Sequence, residues 1–86
     1  MNIKFRLIFT SKAQKQLDVL AHQDCKQYRK AFQFLSKFGS SYRSLRTHRY
    51  QTKGGDIWSS SASMAKRFYW HFSEEHTIVV THLDSH

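Results

Sequence analysis

From Arg67 to Phe72 the sequence reads RFYWHF, with Phe68, Trp70 and Phe72 alternating against Arg67, Tyr69 and His71. Successive side chains of a strand point to opposite faces, so this stretch predicts a strand with one aromatic face and one polar face. The aromatic face builds a core. The polar face carries a guanidinium, a phenol and an imidazole, and is available for chemistry.

The remaining elements follow in chain order. Asn2 to Thr10 predicts a strand whose Ile3, Phe5, Leu7 and Phe9 share one side. Ser11 with Gln14 is a capping-box signal, so a helix is expected from there to about Ala21, with Ala13, Leu17 and Leu20 facing inward. After a break at His22 and Gln23, Asp24 with Gln27 repeats the signal. Cys25, Tyr28, Ala31, Phe32, Leu35 and Phe38 then recur at helical spacing up to Gly39, an expected stop. Two helices joined so closely form an αα-hairpin, whose apolar side needs the strands to cover it. Residues 40–56 show no periodicity and are expected to be a long functional connection, anchored by Leu45 and Tyr50. Gly54 and Gly55 turn into a strand over Ile57 to Ala62; Arg67 to Phe72 and Thr77 to Leu83 complete a meander. The expectation is a single α+β domain over residues 1–86: an N-terminal strand, an αα-hairpin, then a three-strand meander, forming a twisted, largely antiparallel four-stranded sheet.

Charge is distributed unevenly. The net charge is +8, and no acidic residue falls between Asp24 and Asp56, where Lys26, Arg29, Lys30, Lys37, Arg43, Arg46, Arg49 and Lys53 all lie. Elsewhere Lys4, Arg6, Lys12, Lys15, Lys66 and Arg67 balance the six acids. A segregated positive surface favours polyanions through counterion release and steering, which points to nucleic acid or an acidic protein partner. The single Cys25 allows no internal disulfide, and no CxxC or zinc-finger spacing occurs, so a reduced, cytoplasmic chain is expected. Apolar runs are too short to span a bilayer. Ser59, Ser60 and Ser61 lack a nucleophile-elbow setting and give no support to a serine hydrolase. His82, Asp84 and His86 share a strand face and form the one metal-chelating alternative; no metal or cofactor is expected.

Four motifs, in this order and spacing, resemble the RelE/ParE superfamily of toxins from toxin-antitoxin pairs, in particular RelE-like and YafQ-like messenger RNA interferases. They are Leu45-x-Thr47-His48, Trp58-Ser59, Arg67-x-x-Trp70-x-Phe72 and Leu83-Asp84-Ser85-His86. The resemblance covers essentially the whole chain. It implies an αα-hairpin on a twisted sheet, entry into the ribosomal A site, cleavage of messenger RNA there, and silencing by a cognate antitoxin. Carried over position by position, His48 is similar to the loop histidine, Arg67 to the strand arginine and His86 to the terminal histidine of interferase members. Ala62 and Lys66 stand where the YafQ-like branch has further catalytic residues, and the sequence ends at His86 where the family usually continues to an aromatic residue.

The chemistry fits these residue types. Cleavage by the RNA's own 2′-hydroxyl needs a base, a cation over the phosphate and an acid for the departing 5′-oxygen. Imidazoles populate both protonation states near neutrality, and a guanidinium donates two parallel hydrogen bonds while staying charged. Arg67 is therefore expected to clamp the phosphate, with His48 and His86 dividing the proton transfers in an order left open. Arg43, Arg46, Arg49 and Lys53 are expected to grip flanking phosphates, and Tyr69 and His71 to support single-stranded RNA. Two rival expectations share the fold: a ParE-like inhibitor of DNA gyrase that cuts nothing, and an inactive member that only binds its antitoxin.

Overall fold

The computed structural model describes residues 4–74 and 76–85, the last by its backbone alone. Its elements are β1 (Arg6–Phe9), α1 (Ser11–Asp18), α2 (His22–Phe38), β2 (His48–Thr52), β3 (Gly55–Ser61), β4 (Lys66–Phe72) and β5 (Thr77–Ser85), with two short 3₁₀ turns at Gly39–Ser41 and Arg43–Leu45. The strands form one mixed sheet in the order β1-β5-β4-β3-β2, in which β1 runs parallel to β5 and the other neighbours are antiparallel.

The sheet has five strands, one more than expected. The extra one, β2, lies inside the stretch expected to be a loop. All five of its residues are exposed, so no buried face imprinted an apolar alternation on the sequence. Its pairing to β3, from His48 with Ser59 to Thr52 with Gly55, closes over the Gly54-Gly55 turn. Leu45 does anchor the connection, buried at 3% exposure, but Tyr50 does not: it is 51% exposed on β2.

α1 begins at Ser11 as expected, whereas α2 begins earlier than its capping signal suggested, inside the expected break at His22 and Gln23. Thr10, not Ser11, caps α1: its hydroxyl oxygen accepts from Ala13 N–H at 3.1 Å. The helix ends at Asp18 rather than near Ala21. α2 starts at His22, which places Asp24 in its first turn, where a carboxylate complements the helix dipole and meets Lys66 Nζ at 3.2 Å. The stop at Gly39 stands. Its φ is 66°, and a Cβ there would sit 2.6 Å from the Phe5 ring, so only glycine fits where α2 passes β1.

One face of the sheet is packed under the helices. Tyr28 and Leu35 of α2 meet Phe68 and Trp70 of β4 and Ile78 and Val80 of β5, all fully buried. Phe32 lies edge-on to Phe68 at 4.9 Å and Phe9 edge-on to Phe32 at 5.1 Å. Each such aromatic contributes roughly 1.5–3 kcal/mol by leaving water. Trp70 Nε1 donates to the buried Ser60 Oγ at 2.9 Å, and Ser60 Oγ lies 2.7 Å from Thr47 Oγ1. The Leu45-Arg46-Thr47 segment is thereby held by the core on both sides of Arg46. The other face carries the polar set of β4.

Candidate functional site

Strand register builds the site on that other face. Residues directly opposite one another share a side of the sheet, and His48 faces Ser59, Ser59 faces Tyr69, and Tyr69 faces His82. One row therefore crosses four strands: His48, Ser59, Tyr69, His82. The neighbouring row, two residues along, holds Ser61, Arg67 and Asp84. A register shift between Tyr69 and Trp70 makes Thr81 an extra residue on β5, which turns Val80 to the core while His82 stays with Tyr69.

Arg67 is held in place. Its Nε donates to Ser59 Oγ at 2.9 Å and its Nη1 to Ser61 Oγ at 2.7 Å; Nη2 is shielded from solvent with no hydrogen-bond partner among the described residues. The guanidinium thus points along β3. Two neutral hydroxyls orient it without neutralising its charge. Arg67 lines an open cleft of about 280 Å³ together with Arg46, Ser44, Ser61, Ser63 and Met64. Arg46 reaches it from a left-handed backbone (φ 46°, ψ 54°), a conformation that costs a residue with a Cβ about 1 kcal/mol or more. The buried Leu45 before it and the tied Thr47 after it keep it there.

His82 stacks on Tyr69, ring centroids 4.4 Å apart and 15° from parallel. Thr81 commits its one hydroxyl hydrogen to the Tyr69 carbonyl at 3.1 Å, so the Thr81 oxygen accepts from His82 Nδ1–H at 3.0 Å. Burial holds this imidazole below its usual pKa, Lys12 adds to the effect, and Asp84 opposes it.

The expected residues are distributed as follows. His48 opens β2, exposed, in the same row as Tyr69, instead of lying in a loop. Arg67, Tyr69 and His71 share the outer face of β4, and Arg46 joins Arg67 in the cleft. Arg43 is exposed in the 3₁₀ turn just before the cleft. Arg49 points to the other side of β2 from His48, over the Trp58 ring at 5.9 Å and 3.9 Å from Asp56. Lys53 sits in the β2-β3 turn, away from Arg67. His86 lies outside the described residues, and with it the His82, Asp84, His86 chelate; among the described residues no group of three His, Cys, Asp or Glu is placed to hold a metal. Ser59 and Ser61 as holders of Arg67, and His82 as a member of the row, were not anticipated. For the serines the signal was there: their alternation on the strand paired with Arg67.

No protein-family model and no curated protein matches the sequence. Solved structures do match in three dimensions. A chain of the archaeal RelE-RelB complex from Pyrococcus horikoshii superposes with a TM-score of 0.80 at 12% identity, covering 96% of both chains. The toxin-antitoxin complex RelBE2 from Mycobacterium tuberculosis gives 0.76 at 20% identity over 98% of this chain and 100% of that one. The Escherichia coli DinJ-YafQ toxin-antitoxin complex gives 0.75 at 7% identity over 98% and 94%. The fold is that of the RelE-like toxins. Among the described residues no helix is long and apolar enough to cross a membrane.

Proposed function

We propose that this chain, with the fold of RelE-like toxins as the starting point, is the toxin of a type II toxin-antitoxin pair that cuts messenger RNA in the ribosomal A site. The observation that carries the proposal is the seating of Arg67: its guanidinium is fixed by Ser59 and Ser61, is in no salt bridge among the described residues, and lines a cleft shared with Arg46. A guanidinium so placed stabilises charge that builds on a phosphate during attack by the adjacent 2′-hydroxyl. The O2′–P bond forms, the P–O5′ bond breaks, and the products are a 2′,3′-cyclic phosphate and a 5′-hydroxyl. His48 and His86 are the imidazoles assigned to proton transfer, Arg46 and Arg43 bind flanking phosphates, and Tyr69 and His71 offer ring faces to unstacked bases.

The partner that silences it is a cognate antitoxin, acidic or carrying an amphipathic helix, because it must cover a basic cleft or apolar edges. The compartment is the cytoplasm, where messenger RNA is translated. Primer extension on transcripts from cells expressing the chain tests the proposal. Cuts phased to codons, lost in Arg67→Ala, support it. Intact transcripts with accumulated gyrase-DNA adducts assign the chain to the ParE-like mode, and intact transcripts with antitoxin binding alone make it an inactive binder.

A further inference from the structure

We infer that His82, through Nε2, is the base that takes the proton from the attacking 2′-hydroxyl. The inference rests on the proposed cleavage reaction and revises its division of labour: the base's role, left open between His48 and His86, passes to His82, and His48 is the acid. In-line displacement needs the base and the acid on opposite sides of the phosphorus, with the cation over the phosphate between them. The sheet supplies that arrangement. His82 on β5 and His48 on β2 end the row that crosses Ser59 and Tyr69, three strand spacings or about 14 Å apart at their backbones, and Arg67 emerges from β4 between them.

His82 is also prepared for one direction of transfer. Its Nδ1–H is spent on Thr81 Oγ1, whose own hydrogen goes to the Tyr69 carbonyl, and this fixes the tautomer with the lone pair on Nε2. The Tyr69 ring, 4.4 Å away and nearly parallel, sets the plane of the imidazole. The groups around it are Tyr69 from β4, Lys12 from α1 and Asp84 from β5, while the Arg67 guanidinium turns toward β3. Burial and Lys12 favour the neutral form over Asp84's opposition, which suits a base and disfavours an acid. The proton leaves the 2′-oxygen for Nε2 as O2′–P forms. The departing 5′-oxygen takes its proton from His48 in its cationic form, and the pair exchanges the two protons with solvent before the next turnover.

Single-turnover cleavage of messenger RNA on programmed ribosomes by the full chain tests this. His82→Gln is expected to slow cleavage by about 10²- to 10⁴-fold, to remove one limb of the pH-rate profile, and to recover part of its rate in added imidazole. On a transcript whose scissile 5′-oxygen is replaced by sulfur, which leaves without a proton, the His82→Gln defect persists and the His48→Gln defect shrinks. A wild-type rate in His82→Gln while Arg67→Ala is inactive overturns the inference and leaves the proposed function standing, as does a His82→Gln defect that vanishes on the sulfur substrate or that imidazole never relieves in a variant melting like the wild type. Absence of cleavage by the unmodified chain overturns both.

Discussion

The amide of Gln16 closes a two-point ring with the backbone of Leu83: Oε1 accepts from Leu83 N–H at 2.7 Å and Nε2 donates to Leu83 C=O at 3.0 Å. β1 pairs with β5 only from Arg6 opposite Thr77 to Phe9 opposite Val80. Beyond that point the chain has entered α1, and side chains take over the work of a strand. Thr10 Oγ1 donates to the Thr81 carbonyl at 2.6 Å, and Gln16 serves Leu83. The segment that presents His82 and Asp84 is therefore kept extended by a helix.

Gln16→Ala leaves both backbone groups of Leu83 without this partner. The loss is expected to cost about 1–3 kcal/mol in urea unfolding, with faster amide hydrogen exchange at Leu83. Gln16→Glu keeps the acceptor and loses the donor, and should fall between.

The two kinds of serine on β3 separate function from stability. Ser60→Ala strips Trp70 Nε1 of its buried acceptor and should destabilise the fold by about 1–3 kcal/mol. Ser59→Ala and Ser61→Ala free Arg67 to wander, and each should lower cleavage by roughly 10- to 100-fold with a much smaller change in melting temperature. Calorimetry and single-turnover kinetics on the same variants check the contrast.

Gly39→Ala meets two penalties at once, a left-handed backbone and a Cβ 2.6 Å from the Phe5 ring. A loss of about 1–3 kcal/mol is expected. Combining it with Phe5→Leu should recover only the part due to the clash, which a double-mutant cycle measures.

The depressed pKa of His82 has a definite sign. The folded chain holds this proton less tightly than the unfolded chain, so the unfolded state binds more protons as pH falls below the ordinary imidazole value of 6.5, and stability drops. Melting temperature should therefore decline on acidification from pH 7, and the part owed to His82 should be missing in His82→Gln. Lys12→Ala removes the secondary cause and should soften the decline.

What could be read in advance depended on burial. β4 was legible because Phe68 and Trp70 are sealed in the core while Arg67 and Tyr69 face out, so packing wrote itself into the alternation. β2 was not, because exposure on both sides demands no pattern, and His48 consequently looked like a loop residue. The cap was expected at Ser11 and lies at Thr10, whose hydroxyl is also engaged with the Thr81 carbonyl, a contact across 71 residues that no local signal announces. Arg67 was identified from the strand and its motif. Its serine supports and the Tyr69-His82 stack depend on register, including a shift at Thr81 that no local signal announces. His82 consequently read as an end of a metal chelate when its neighbours across the strands make it part of a row with His48.

The most direct measurement is end-group analysis of messenger RNA incubated with programmed ribosomes and the purified chain. Fragments ending in a 2′,3′-cyclic phosphate, matched by fragments beginning with a 5′-hydroxyl, are expected in reactions with the wild type, and none above background with Arg67→Ala. Equal yields of such fragments from Arg67→Ala, or intact messenger RNA in the presence of the folded wild-type chain, would contradict it.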